Sequence, residues 1–104
     1  MLRRVKITAT DLPAWMQSFA DAIEIQSVRN PGFWTQRVDT GVKIVLDLRS
    51  PVLPRDLAER LRDRYGTEST LSIVEDAPRS QHMNRGFAIA KLEVLLFAIG
   101  RAAP

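Results

Sequence analysis

The part of the sequence that most constrains the fold is residues 81–99, because it predicts a long helix that is apolar on nearly every side. Ser80 is placed to cap its first turn, and Gly100 is placed to end it. Its apolar residues are Phe87, Ile89, Leu92, Val94, Leu95, Leu96, Phe97 and Ile99. A helix at a protein surface normally carries polar residues on its outer side. This helix therefore needs cover on two sides, either from a helix near the N-terminus or from a second chain in a homodimer through this C-terminal helix.

The rest of the chain alternates between strand and helix patterns. Strands are predicted at residues 5–8, 23–28, 42–48 and 71–74. A helix is expected to begin near Pro13, and its apolar face is formed by Leu12, Trp15, Met16, Phe19 and Ile23. A second helix is expected from Pro54 to a stop at Gly66, with an apolar stripe of Leu57, Leu61 and Tyr65. The order β-α-β-β-α-β-α predicts an α+β fold, with helices packed on a small, mostly antiparallel sheet.

The composition indicates one folded domain over residues 1–104. The chain is 45% hydrophobic and 26% charged, which is ordinary for a globular protein and unlike a disordered one. It lacks cysteine, an apolar leader and a stretch able to span a bilayer, so we expect a cytoplasmic protein with no signal peptide and no membrane partner. The net charge of +3 comes with more arginine than lysine, which suits RNA phosphates but also fits a GC-rich genome.

One short segment, residues 79–85 (Arg-Ser-Gln-His-Met-Asn-Arg), is unusual in both content and surroundings. Upstream, residues 42–50 (Val-Lys-Ile-Val-Leu-Asp-Leu-Arg-Ser) are followed by Val-Leu-Pro at 52–54 and by Glu-Arg-Leu at 59–61. In order and spacing, residues 42–97 resemble the catalytic domain of class I peptide chain release factors. They are also similar to the single-domain ribosome-rescue peptidyl-tRNA hydrolases of the alternative rescue factor B type. The resemblance implies a release-factor-like domain whose last helix begins with the Arg-Ser-Gln segment.

The family's catalytic loop carries a Gly-Gly-Gln sequence, and this chain departs from it. The resemblance aligns that loop with residues 29–40 (Arg-Asn-Pro-Gly-Phe-Trp-Thr-Gln-Arg-Val-Asp-Thr), so that Gln36 takes the place of the catalytic glutamine. Trp34 and Thr35 then occupy the two glycine positions. Glycine adopts backbone angles that other residues avoid, and it lets a loop approach RNA closely. Because bulky and β-branched residues are strained at positive φ, we expect peptidyl-tRNA hydrolysis to be lost or strongly impaired.

The resemblance also indicates which residues contact RNA. The candidates are Arg29, Trp34, Arg37, Arg79, Gln81, Asn84 and Arg85. Gln36 is the catalytic candidate if hydrolysis is retained. Trp34 either stacks on a base or a protein partner, or it covers the edge of the sheet. The expected partner is the ribosome or tRNA rather than DNA, and no cofactor or metal is expected, since His82 is the sole histidine.

Three functions fit these residues. The first is a domain that binds the ribosome or tRNA without efficient hydrolysis. The second is an active peptidyl-tRNA hydrolase, or translation release factor, with an adapted loop. The third is a protein-interaction module that keeps the same scaffold and uses Trp34 and the last helix.

Overall fold

The computed structural model describes residues 3–28, 41–66, 69–77 and 80–101. Its strands are β1 (Arg3–Lys6), β2 (Ile23–Val28), β3 (Gly41–Asp47) and β4 (Thr70–Glu75). Its α-helices are α1 (Arg55–Tyr65) and α2 (Gln81–Arg101). Two 3₁₀ helices, Ala9–Asp11 and Ala14–Ala22, connect β1 to β2. The predicted α+β class with an antiparallel sheet is confirmed.

The strands form one sheet in the order β1-β2-β3-β4, and every neighbouring pair is antiparallel. Ile25 of β2 lies opposite Ile44 of β3, which lies opposite Ile73 of β4. Because successive side chains of a strand point to opposite faces, these residues share one face with Leu46 and Val42. That face joins the core against the helices, and it accounts for the alternating burial along β3.

The segment before β2 differs from its prediction in helix type, because Ala14–Ala22 is a 3₁₀ helix rather than an α-helix. Its buried side chains are Met16, Phe19 and Ala22, which recur every third residue. A 3₁₀ helix has three residues per turn, so this spacing aligns all three on one side. Thr8, which the pattern assigned to the first strand, instead precedes the short 3₁₀ helix as its N-cap.

Helix α1 packs through Leu57, Ala58 and Leu61. Tyr65 was expected on this apolar stripe, but it is 39% exposed, so that part of the prediction is wrong. Ala58 completes the buried face because it lies one position after Leu57 and three before Leu61. The helix ends where Gly66 takes a φ of 89°, a conformation that favours glycine.

Helix α2 crosses the core face of the sheet and contacts β3 and β4. Its inner side buries Ala88, Leu92 and Leu96, which are spaced by four residues. The rest of the chain covers the outer side of α2 only in part. Met83, Phe87, Val94 and Phe97 are all close to half exposed or more. Among the described segments, no helix is both long enough and apolar enough to cross a lipid bilayer.

Trp15 is the residue through which the 3₁₀ helix Ala14–Ala22 covers part of the outer side of α2. The residue was expected on the buried face of its helix, but it is 42% exposed. Its indole packs edge-on against Phe97, with ring centroids 6.1 Å apart, and its Nε1–H donates to Glu93 at 3.2 Å. The side chain turns toward α2 because the three-residue repeat directs Met16 and Phe19, rather than Trp15, into the core.

Candidate functional site

The start of α2 carries the described part of the Arg-Ser-Gln segment. Ser80 lies just before the helix, and its Oγ accepts a hydrogen bond from the backbone N–H of Met83 at 3.1 Å. The Ser80 carbonyl accepts from the N–H of Asn84 at 3.0 Å. A serine in this position satisfies one of the N–H groups that a helix start leaves unpaired. The capping role predicted for Ser80 is confirmed.

Gln81 is the first residue of α2, and its side chain connects the helix to strand β2. Its side-chain amide donates from Nε2 to the Ser27 hydroxyl at 2.9 Å. Ser27 is the penultimate residue of β2, which leads into residues 29–40. Gln81 is exposed and Ser27 is half-buried, so this contact lies at the surface of the protein. The beginning of α2 is therefore held beside the point where β2 ends.

Asn84 is fully buried, unlike its neighbours in the segment. Its Nδ2 donates to the carbonyl of Ala77 at 3.1 Å. Ala77 follows β4, so this bond ties the chain that enters α2 to the first turn of the helix. A buried amide must find hydrogen-bond partners because burial without them is costly. In this structure Asn84 acts as a positioning residue for the segment.

Arg85 faces the N-terminal part of the chain, where it forms an ion pair with Asp11. The distance from its guanidinium to Asp11 Oδ2 is 2.5 Å, and each side chain is about one-third exposed. The same carboxylate accepts from the Thr8 hydroxyl at 2.6 Å and from the Thr8 backbone N–H at 3.2 Å. The Thr8 hydroxyl is the main cause that lowers the pKa of Asp11 below its ordinary 3.8, and Arg85 adds to it against an opposing effect of burial.

The structure therefore brings together three of the predicted RNA-binding residues: Gln81, Asn84 and Arg85. The other sequence-predicted residues lie outside the described part of the chain: Arg29, Trp34, Gln36, Arg37 and Arg79. Two partners that sequence reasoning missed are Ser27 and Asp11. They lie 54 and 74 residues from Gln81 and Arg85, and no local pattern indicates pairs so distant in sequence.

Strand β2 also carries a buried polar side chain, on the other face of the sheet. Gln26 is 6% exposed, and within the described residues its Oε1 has no hydrogen-bond donor. It alternates with Ile25 and Ser27, so it lies on the sheet face opposite the helices, at the register of Lys43. Buried side-chain oxygens normally have a donor, which makes Gln26 an acceptor that the described residues leave unused. The alternating pattern of β2 did not single it out.

The start of α2 carries the side-chain amides of Gln81 and Asn84 and the Arg85 guanidinium, which is paired with Asp11. No group of three or more His, Asp or Glu side chains within the described residues lies close enough together to hold a metal ion. His82 is exposed at the first turn of α2. The backbone N–H groups of a helix start favour anionic ligands, and arginine adds a bidentate phosphate donor. No protein-family model matches the chain, and no curated protein matches its sequence.

Proposed function

We propose that this chain is a release-factor-type domain that binds the ribosome or tRNA and in which peptidyl-tRNA hydrolysis is lost or strongly impaired. The proposal is carried by one observation. The Ser-Gln-x-x-Asn-Arg residues open the final helix, and Gln81 bonds to Ser27 on the strand that leads into residues 29–40. In the family that the sequence resembles, the strand in that position leads to the catalytic loop. The contact between Gln81 and Ser27 thus supports the proposed relationship of this chain to that family.

The proposed loss of hydrolysis depends on residues 29–40. A Gly-Gly-Gln loop needs backbone donors that are held in place before charge develops in the transition state. If Trp34 and Thr35 take the two glycine positions, positive φ would be strained at both residues, and the indole would obstruct a close approach to RNA. Gln36 is the residue that would retain any hydrolytic role. The side chains Arg29, Trp34 and Arg37 then serve binding rather than cleavage.

Within the proposed interface, some of the described residues contact RNA and another positions the segment. Gln81 is exposed at the α2 start, and the Arg85 guanidinium, which is paired with Asp11, is about one-third exposed. The proposal assigns both side chains to contact with phosphate or sugar oxygens. Asn84 is buried and holds the segment through Ala77. Arg79 precedes the cap residue Ser80, which brings a further cation to the positive end of the helix.

Ribosome co-sedimentation over a series of salt concentrations tests the binding part of the proposal. The variant carries Arg29→Gln, Arg37→Gln and Arg79→Gln together. If these arginines bind phosphates, the variant binds more weakly at every salt concentration. The slope of log affinity against log salt then falls by about one for each phosphate that the variant no longer neutralises.

The control variant carries Arg49→Gln, Arg55→Gln and Arg64→Gln. These three arginines are exposed in the β3–α1 connection and on α1, and their removal changes the net charge by the same amount. Binding that is retained in the control and abolished in the first variant identifies a local contact surface. Equal weakening in both variants, or no binding by the wild-type chain, contradicts the proposal.

Release of labelled peptide from peptidyl-tRNA on stalled ribosomes tests the hydrolysis part. We expect little release by the wild-type chain and no further loss in Gln36→Ala, because the backbone that supports the glutamine is already unsuitable. Efficient release that Gln36→Ala abolishes would instead identify an active hydrolase with an adapted loop. Binding with no release, unaffected by Gln36→Ala, is the result that the proposal requires.

A protein-interaction module on the same scaffold is the second candidate function. It is favoured by the exposed apolar side chains along α2, since contiguous apolar patches on a protein surface often mark interaction sites. A chain that has no affinity for ribosomes or tRNA at low salt, yet binds another protein through α2, would support it.

A further inference from the structure

The outer side of α2 carries an apolar stripe with a regular spacing. Its residues are Met83, Phe87, Ala90, Val94 and Phe97, separated by steps of four, three, four and three. All five are exposed, and the exposure of Val94 reaches 68%. Steps that alternate between three and four are the repeat of the a and d positions in a coiled coil, where they form the seam between two helices. We call these five residues the outer stripe.

A groove interrupts the outer stripe at its centre. Its volume is about 320 Å³, and its lining includes Phe87, Ala90, Lys91 and Val94. These four residues lie at i, i+3, i+4 and i+7 of one helix, which is the set that surrounds a hole in knobs-into-holes packing. Ala90 has the smallest side chain of the lining residues. The groove therefore has the geometry that accepts a single side chain from a facing helix.

We propose that the outer stripe is a homodimer interface in which α2 packs antiparallel against α2 of a second copy. In this arrangement Val94 of the partner subunit enters the groove above Ala90, and Val94 enters the partner's groove in turn. Phe87 then lies opposite the partner's Phe97. The same patch is used on both copies, as a two-fold interface requires.

The sizes of the side chains favour the antiparallel direction over the parallel one. An antiparallel pairing sets Val94 against the smaller Ala90 at the centre, which places a branched side chain in each groove. A parallel pairing sets Ala90 against the partner's Ala90, which leaves the groove empty and removes dispersion contacts from its lining. Alternating large and small residues across an interface is the arrangement that packs to the density of a protein interior.

The charged residues beside the outer stripe oppose this packing only weakly. Lys91, at the edge of the groove, forms an ion pair with Glu75 of β4. Glu93, on the other side, accepts the hydrogen bond from Trp15. Both charges therefore have opposite or polar groups beside them within the same chain. The repulsion between two copies of Lys91 near the two-fold axis is correspondingly reduced.

The exposed area also matches what a stable dimer needs. A full aromatic side chain carries roughly 150–250 Å², so the half-exposed side chains of the outer stripe together with Trp15 present on the order of 400–500 Å². A standard interface buries about 800 Å² on each partner, of which roughly 60% is apolar. The outer stripe thus supplies the apolar centre of such an interface, and the polar residues around it supply the rim.

Sedimentation equilibrium over concentrations from about 1 μM to about 1 mM tests the dimer. We expect the wild-type chain to dimerise and Val94→Lys to raise the dimer dissociation constant by about a hundredfold. Each copy no longer buries one valine side chain, which corresponds to roughly tenfold, and symmetry doubles the effect on a logarithmic scale. The exposure of Val94 makes the substitution compatible with folding, which circular dichroism of the variant verifies.

The matched control is Val74→Lys. Val74 is 47% exposed and lies on the sheet face opposite Glu75, away from α2. It should leave the dissociation constant unchanged. A wild-type chain that stays monomeric throughout, or a dimer that Val94→Lys leaves intact, would overturn the proposal. So would equal weakening of the dimer in both variants, because the interface would then not belong to the outer stripe.

A distance measurement tests the direction of packing. The chain contains no cysteine, so His82→Cys provides a single site for a spin label on the exposed side of the first turn. In the antiparallel dimer the two labelled positions are separated by about 30 Å along the helix axes, since each residue rises about 1.5 Å. Labels about 10 Å apart, the spacing of two parallel helices, would overturn the antiparallel arrangement. The outcome is independent of ribosome binding, so the proposed function and the dimer are tested separately.

Discussion

At the scale of single residues, Asn84 shows how one buried amide organises the start of α2. The residue is fully buried, and its side chain bonds to the carbonyl of Ala77 in the connection that leaves β4. Its backbone N–H also bonds to the carbonyl of Ser80. Removal of the amide would leave the Ala77 carbonyl without this donor, and it would leave a cavity as well.

We expect Asn84→Ala to lower the free energy of unfolding by about 2–3 kcal/mol, from the missing hydrogen bond and the cavity together. Urea denaturation followed by circular dichroism measures the change. Gln81→Ala, which removes an exposed bond to Ser27 one turn earlier, should cost less than about 1 kcal/mol. Similar losses of stability in the two variants would show that burial does not distinguish the two amides.

The polar residues at the start of α2 show which contacts of the candidate site can be predicted from the sequence and which cannot. The capping role of Ser80 was predictable because it depends on residues within one turn. The partners of Gln81 and Arg85 were not, because Ser27 and Asp11 become neighbours only through the folded sheet and the N-terminal connection. The RNA contacts predicted for Gln81, Asn84 and Arg85 remain predictions.

At the scale of elements, the pairing of β2 with β3 depends on a close approach at Gly41. Gly41 lies opposite Val28 in the ladder. A Cβ atom added to Gly41 would lie 2.7 Å from both the carbonyl oxygen and Cγ2 of Val28. The valine side chain is able to rotate, but the carbonyl is part of the β2 backbone and moves only if the strand moves. A glycine is therefore required where β3 begins.

Gly41→Ala should destabilise the protein by about 1–3 kcal/mol, because the added methyl group forces the two strands apart. Gly86→Ala is the matched control, since a Cβ at this helical position meets nothing within 4 Å. That change should stabilise α2 by roughly 0.5–1 kcal/mol through helix propensity. Thermal and urea unfolding of both variants give the comparison, and stabilisation by Gly41→Ala would show that the ladder has room for a side chain.

The elements differ in how well the sequence predicts them, and the reason is physical. Strand β2 has alternating residues and α1 has a proline before it and a glycine after it, and the structure agrees with these signals. The 3₁₀ helix Ala14–Ala22 was mistaken for an α-helix because Met16 and Phe19, three residues apart, fit both. Burial of Ala22 fits the 3₁₀ helix and not the α-helix, but an alanine contributes little to a hydrophobic pattern in the sequence.

At the scale of the whole molecule, the ion pair between Asp11 and Arg85 joins the N-terminal connection to the start of α2. The Thr8 hydroxyl, with Arg85, keeps the pKa of Asp11 below 3.8 in the folded protein. A carboxyl whose folded pKa is lowered stabilises the folded state above its unfolded pKa. That stabilisation disappears as the pH falls through the folded pKa, because the folded state must then take up the proton.

We therefore expect Asp11→Asn to destabilise the protein near neutral pH and to make its stability less dependent on pH below about 4. Thr8→Ala should weaken the same dependence in part, since it removes the largest of the lowering contributions. Urea unfolding at a series of pH values from about 2 to about 6 measures both effects. An acid dependence in Asp11→Asn that matches the wild type would assign the ionisation to another group.

The register of Val28 with Gly41 has a consequence for how such a chain changes through evolution. The pairing of Val28 with Gly41 brings the two residues that flank residues 29–40 together at one rung of the ladder. The entropy of closing such an excursion rises only slowly with its length. Changes in the length of this segment therefore add little to the free-energy cost of forming the sheet. Insertions and deletions between β2 and β3 are accordingly expected to be tolerated in evolution more often than changes within the strands.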